Sequence, residues 1–130
     1  MTHAASKRSL GFGELAALRW FEEMHRLLSP GGVLLFTTHG WHTLRWGART
    51  GGLDDERLQE VAAGLYRDGC YYFDSFGTEG DWGVRDPEWG WAAYTPEWLL
   101  PALEGRWLPL LFLPGAVEDN QDLWVLRAQE

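Results

Sequence analysis

Leu28-Ser29-Pro30-Gly31-Gly32-Val33-Leu34-Leu35-Phe36-Thr37-Thr38-His39-Gly40 is the stretch on which the fold turns. Proline presets a turn and glycine accepts positive φ, so Ser29 to Gly32 ends whatever element precedes it. The six residues from Val33 to Thr38 are apolar on both alternating faces and bounded by glycines. A run of this kind reads as a strand covered on both sides, in a buried sheet with helices on each face. Its carboxyl end delivers Thr38, His39 and Gly40 into a loop.

Upstream, residues 14–28 carry a helical pattern. Ala17, Leu18, Trp20, Phe21, Met24, Leu27 and Leu28 share one arc, with Arg19, Glu22, Glu23 and Arg26 opposite. Arg19–Glu23 and Glu22–Arg26 are spaced to pair on the wet face. Residues 1–13 are small, polar and irregular in pattern. Downstream, residues 41–53 read as a long glycine-rich loop. A second helix starts at Asp54-Asp55, with Leu58, Val61, Ala62 and Leu65 as its stripe and Gly69 as its C-cap. Residues 71–76 read as a strand or an aromatic lid, and residues 77–90 as loop. Thr95-Pro96-Glu97 opens a short or kinked helix, since Pro101 lies inside it. Trp107–Leu113 reads as a strand that Pro109 confines to a sheet edge. Pro114-Gly115 turns the chain, and Leu123–Leu126 is a last buried strand.

Composition narrows the function. The 130 residues carry 11 Lys plus Arg against 19 Asp plus Glu, a formal charge of -8. That balance argues against a nucleic-acid binder and against docking on an anionic membrane. One cysteine, Cys70, rules out an internal disulfide and reads as a small apolar residue. No apolar run is long enough for a signal peptide or a membrane span, so the expected setting is cytoplasmic. With no repeat and no linker, residues 1–130 are expected to form a single domain. Nine Trp in so short a chain call for an account. Trp20, Trp107 and Trp124 lie in helix or strand patterns and are expected in the core.

The ordered set Leu28-Ser29-Pro30-Gly31-Gly32, Thr37-Thr38-His39-Gly40, Thr95-Pro96-Glu97-Trp98-Leu99 and Asn120-Gln121-Asp122 resembles the later half of class I S-adenosylmethionine-dependent methyltransferases. The resemblance covers nearly the whole chain but about half of the family's domain, a truncated methyltransferase. It implies an α/β fold: a partial Rossmann-like sheet of the family's fifth, seventh and sixth strands, in that order, with flanking helices and a Trp/Gly-rich loop insertion. It implies S-adenosylmethionine as cofactor. The family's cofactor loop follows the first strand at a helix N-terminus, and an acid ends the second strand. Neither has a counterpart here. Gly11-Phe12-Gly13-Glu14-Leu15-Ala16 spells part of such a loop, but no apolar strand precedes it. Binding of the cofactor by this chain alone is therefore not expected. The resemblance also leaves one edge of strand 33–38 exposed, where association is expected.

In α/β sheets ligands sit beyond the carboxyl ends of strands, and histidine is the side chain best suited to accept a proton near neutral pH. His39, just past strand 33–38, and His3, which the resemblance of Met1-Thr2-His3 places in the loop after the family's fourth strand, are the candidate catalytic residues on the acceptor side. The bland reading of each is a loop histidine bonded to backbone. Thr38 is a candidate substrate contact. Asp81, Trp82, Glu88 and Trp89 form an acidic, aromatic region suited to stacking on a sugar and binding its hydroxyls. A loop pinned by buried indoles is the alternative. His39 and His42 are spaced as a metal pair but lack a third ligand, so no metal is expected. Together these imply the substrate-side portion of a methyltransferase acting on a small polar molecule or glycan, inactive in isolation. The competing reading is a non-catalytic carbohydrate or small-ligand binding module that uses the Trp-rich loops.

Overall fold

The computed structural model describes residues 13–73 and 90–130. In chain order these form α1 (Glu14–Leu27), β1 (Val33–Thr38), α2 (Trp41–Thr50), α3 (Asp55–Asp68), β2 (Cys70–Phe73), β3 (Trp91–Tyr94), α4 (Pro96–Leu103), β4 (Trp107–Val117) and β5 (Gln121–Ala128). The fold is mixed α/β. The expectations for His3, Asp81, Trp82, Glu88 and Trp89 lie outside the described residues.

Three strands form one sheet in the order β1-β5-β4, with β5 antiparallel to both neighbours. That is the strand order expected for these segments. The described strands form no parallel sheet. β2 and β3 make a separate antiparallel pair. The two sheets meet where β1 runs out: His39 bridges Ala93 in parallel sense, and the Tyr94 amide donates to the His39 carbonyl at 2.9 Å.

The inner face of the larger sheet carries Leu34 and Phe36 from β1, Trp124 and Leu126 from β5, and Trp107 from β4, all nearly or fully buried. Against it lie Ala17, Phe21 and Met24 of α1 and Leu99 and Leu103 of α4. Aromatic contacts hold this layer. Phe36 stacks on Trp124 at 6.1 Å, and Phe21 meets Phe36 edge-on at 5.2 Å. Trp107 and Trp124 are core as expected, and Trp20 packs half-buried on that core.

Several expectations need correction. β1 is covered on one side, because Val33 and Leu35 are 51% and 48% exposed. Its apolar outer positions mimic a two-sided burial that no described element supplies. Residues 41–50 are helix, not loop. Gly40 caps α2 at its start and Gly51, at φ 76°, at its end. The glycine within α2, Gly47, is there for space: a Cβ would fall 2.8 Å from Leu53 Cδ1. β3 had no expected counterpart. Pro114-Gly115 does not turn the chain. β4 continues through an irregularity to Val117, and the reversal comes at Glu118 and Asp119, both with positive φ. On α1, Arg26 pairs with Glu23 rather than with Glu22.

Other expectations hold. Asp54 caps α3 by accepting from the Arg57 amide at 2.8 Å, and Gly69 closes it at φ 79°. Thr95 caps α4 with proline in its first turn and Pro101 inside it. Pro109 sits in β4, an edge strand, next to a register shift.

Candidate functional site

The carboxyl end of β1 is where the candidate histidine sits. β1 pairs with β5 as far as Thr38, and the bridge to Ala93 holds the backbone at His39 just beyond. Its imidazole stacks on the Trp91 indole, with centroids 4.8 Å apart and planes 13° from parallel. Behind Trp91 lies Phe73 at 5.5 Å, and the Arg57 guanidinium stands 3.7 Å from the Phe73 ring centroid. The cation, two aromatic rings and imidazole thus form one stacked row from α3 to the end of β1. The Gln121 amide nitrogen is 3.4 Å from His39 Nε2, long for a hydrogen bond.

Thr38 does not share this site. It is fully buried, and its hydroxyl accepts from the Trp124 indole at 3.0 Å. The side chain points inward because β-strand residues alternate and His39 takes the opposite face. Thr38 anchors the core tryptophan and leaves nothing for a ligand to reach. His39 and His42 do not converge either. His42 lies 2.6 Å from Asp119 Oδ1, and Arg49 donates to Asp119 Oδ2 at 2.9 Å. The His42 hydrogen bond and the nearby cations hold the Asp119 carboxyl below its ordinary value.

Asp122 is the residue that sequence reasoning passed over. It is 3% exposed at the second position of β5, opposite Thr38. Its Oδ1 accepts the Gly115 amide at 2.9 Å, which pins the irregular part of β4. Its other oxygen fills the space where residue 40 would carry a Cβ, and this explains Gly40. Burial pushes the Asp122 carboxyl above its ordinary value, opposed by the Gly115 hydrogen bond and by His42. The signal was present in sequence: an acid directly before the apolar run Leu123–Leu126.

Cys70 is buried, and desolvation pushes its thiol up to about 12, helped by the charges of Glu14 and Asp68. It is an apolar filler, as expected.

Among the described residues, Gly40 is the glycine at a strand-to-helix turn, and the Asp122 carboxylate already occupies its open side. Gly13 begins α1 with no described strand before it. No protein-family model, curated protein or solved structure matches this chain.

Proposed function

We propose that this chain supplies the acceptor side of an S-adenosylmethionine-dependent methyltransferase acting on a small polar molecule or glycan, and that it is inactive in isolation. One observation carries the reading. The segments 33–38, 121–128 and 107–117 lie side by side in that order, and the middle one opposes both neighbours. This is the arrangement that the motif resemblance implies for the end of such a sheet. It puts His39 past the carboxyl end of β1, the side on which α/β sheets place ligands.

His39 there serves as the proton acceptor for a substrate hydroxyl or amine. Stacking on Trp91 fixes the plane of its ring, and orientation of this kind is the larger part of what a protein adds to a group-transfer step. Trp91 also gives an acceptor an apolar wall. In this reading the cofactor is held by groups other than the described Gly13 and Gly40.

Two measurements test this. Calorimetry with S-adenosylmethionine and S-adenosylhomocysteine is expected to show no affinity tighter than about 1 mM. Tight binding would refute that expectation. NMR of the His39 ring and the Trp91 indole is expected to respond to some members of a panel of small sugars and amino alcohols. Silence across the panel would count against an acceptor site at His39. A response confined to other tryptophans would favour the binding-module reading.

A further inference from the structure

The reversal between β4 and β5 is held in a conformation that its residues do not favour. Glu118 and Asp119 both have positive φ, 56° and 55°, and the Asn120 amide donates to the Val117 carbonyl at 3.0 Å. Asparagine and glycine fill such a hairpin turn most readily, and positions 118 and 119 hold neither. Contacts from outside the turn over-determine it. They come from α2. Asp119 Oδ1 lies 2.6 Å from His42 Nε2, and its Oδ2 accepts from Arg49 at 2.9 Å. The Thr43 hydroxyl donates to the Asn120 carbonyl at 3.1 Å.

His42 also reaches the irregular part of β4. Its ring fills the space where residue 115 would carry a Cβ, which would fall 2.5 Å from ring carbon Cδ2. One imidazole thus touches both the reversal and the strand leading into it. Among the described residues, the charged groups that face it are Asp119 from the reversal, Asp122 of β5 and Glu97 of α4. The last two share a cavity of about 210 Å³ with His42. Arg45 and Arg49 of its own helix face Asp119. The guanidiniums keep their charge at any ordinary pH. The Asp119 carboxyl, held below its ordinary value by the His42 hydrogen bond and these cations, stays ionised at neutral pH. Histidine is the side chain whose charge changes between about pH 5 and 8. A charged imidazole makes its bond to Asp119 charge-assisted from both sides, and a neutral one leaves a weaker bond.

We propose that His42 is a pH-sensitive catch: its protonation fastens the strained β4–β5 reversal to α2, and loss of the proton loosens it. The catch joins the two chain segments that adjoin His39. α2 starts two residues after His39, and Gln121, next to Asn120, places its amide nitrogen 3.4 Å from His39 Nε2. The inference does not depend on the transferase reading, because the catch is read with no substrate present.

Amide hydrogen exchange at Asn120 tests it on the intact chain, expressed as protection so that the intrinsic effect of pH is removed. Protection is expected to fall about threefold between about pH 5 and pH 8, the scale of one exposed ion pair. His42→Gln keeps a side chain able to hydrogen-bond and removes the titration. Asp119→Asn keeps a residue that accepts positive φ and removes the charge. Both are expected to fold, checked by circular dichroism, and to lose this fall. Asp122, whose carboxyl is raised by burial, contributes alike to the parent and to His42→Gln, so the difference between the two isolates the catch. Protection in the parent that is constant over this range, or an equal fall in His42→Gln and Asp119→Asn, would each overturn the proposal.

Discussion

Asp122 and Cys70 show how burial alone sets the chemistry of a side chain. The folded chain holds the Asp122 proton above the ordinary carboxyl value of 3.8. The unfolded chain releases it there. Stability contributed at this residue is therefore fullest below that value and falls as pH rises through the raised folded value. Asp122→Asn keeps an oxygen for the Gly115 amide and removes the titration. Denaturant unfolding from pH 3 to 7 is expected to show the variant gaining on the parent as pH rises. A constant difference would mean that the carboxyl titrates normally. Cys70, with its thiol held up to about 12, is expected to resist iodoacetamide at neutral pH until the chain unfolds. Labelling at the same rate in native buffer and in denaturant would contradict its burial. At this scale the sequence was readable where type and pattern agreed, as for Trp107, Trp124 and Cys70. It was misleading for Thr38, whose neighbour His39 suggested a shared site. Alternation along the strand sends the two side chains to opposite faces.

Helix α2 is the element that sequence pattern hid. Its residues include Gly47, two threonines and two tryptophans, all weaker helix formers than alanine. Its helicity comes from tertiary contact: Gly47 admits Leu53, and Thr43 hydrogen-bonds both the Gly40 amide and the Asn120 carbonyl. Helices α3 and α4 were legible because their caps are local signals written in adjacent residues, and α1 because its apolar residues recur at helical spacing. Gly47→Ala separates the two effects. Propensity alone favours alanine by about 0.5–1 kcal/mol. The new methyl would also meet Leu53 Cβ at 2.9 Å, an atom rooted in the backbone that cannot swing aside. Overpacking of this kind costs about 1–3 kcal/mol, so a net loss of stability is expected in chemical denaturation. A gain would mean that Leu53 repacks freely. The late reversal of β4 was likewise hidden, because Pro114-Gly115 carries turn chemistry. Their hydrogen bonding to Asp122, through Gly115, is a long-range contact that composition does not register.

At the scale of the whole molecule, the described elements dress the larger sheet on one face. On the other, Val33, Leu35, Leu108, Leu111 and Leu113 are each 41–51% exposed; Leu35 and Leu111 flank Val125, Leu113 lies beside Leu123, and Val33 and Leu108 flank Arg127. A patch this apolar is uncommon on a lone chain. β1 is also an edge strand, so its outer backbone groups are available for pairing. Concentration-dependent association is the expected outcome, seen by light scattering during size exclusion. Leu35→Lys is expected to suppress it while moving stability by no more than about 0.5 kcal/mol, because the side chain is half exposed. A parent chain that stays monomeric at high concentration would remove the basis for this expectation. Strand order was the part of the architecture that motif order anticipated. The bare face was not, since an apolar strand looks the same in sequence whether or not a cover is present.

The backbone bridge at His39 has a consequence for measurement. The carbonyl of that residue holds the Tyr94 amide, and so the smaller sheet, against the end of β1. A displacement of residue 39, as on binding of a ligand beside it, moves the same peptide group. The exchange rate of the Tyr94 amide proton is therefore a remote gauge of His39, readable without labelling the histidine and without knowing its substrate.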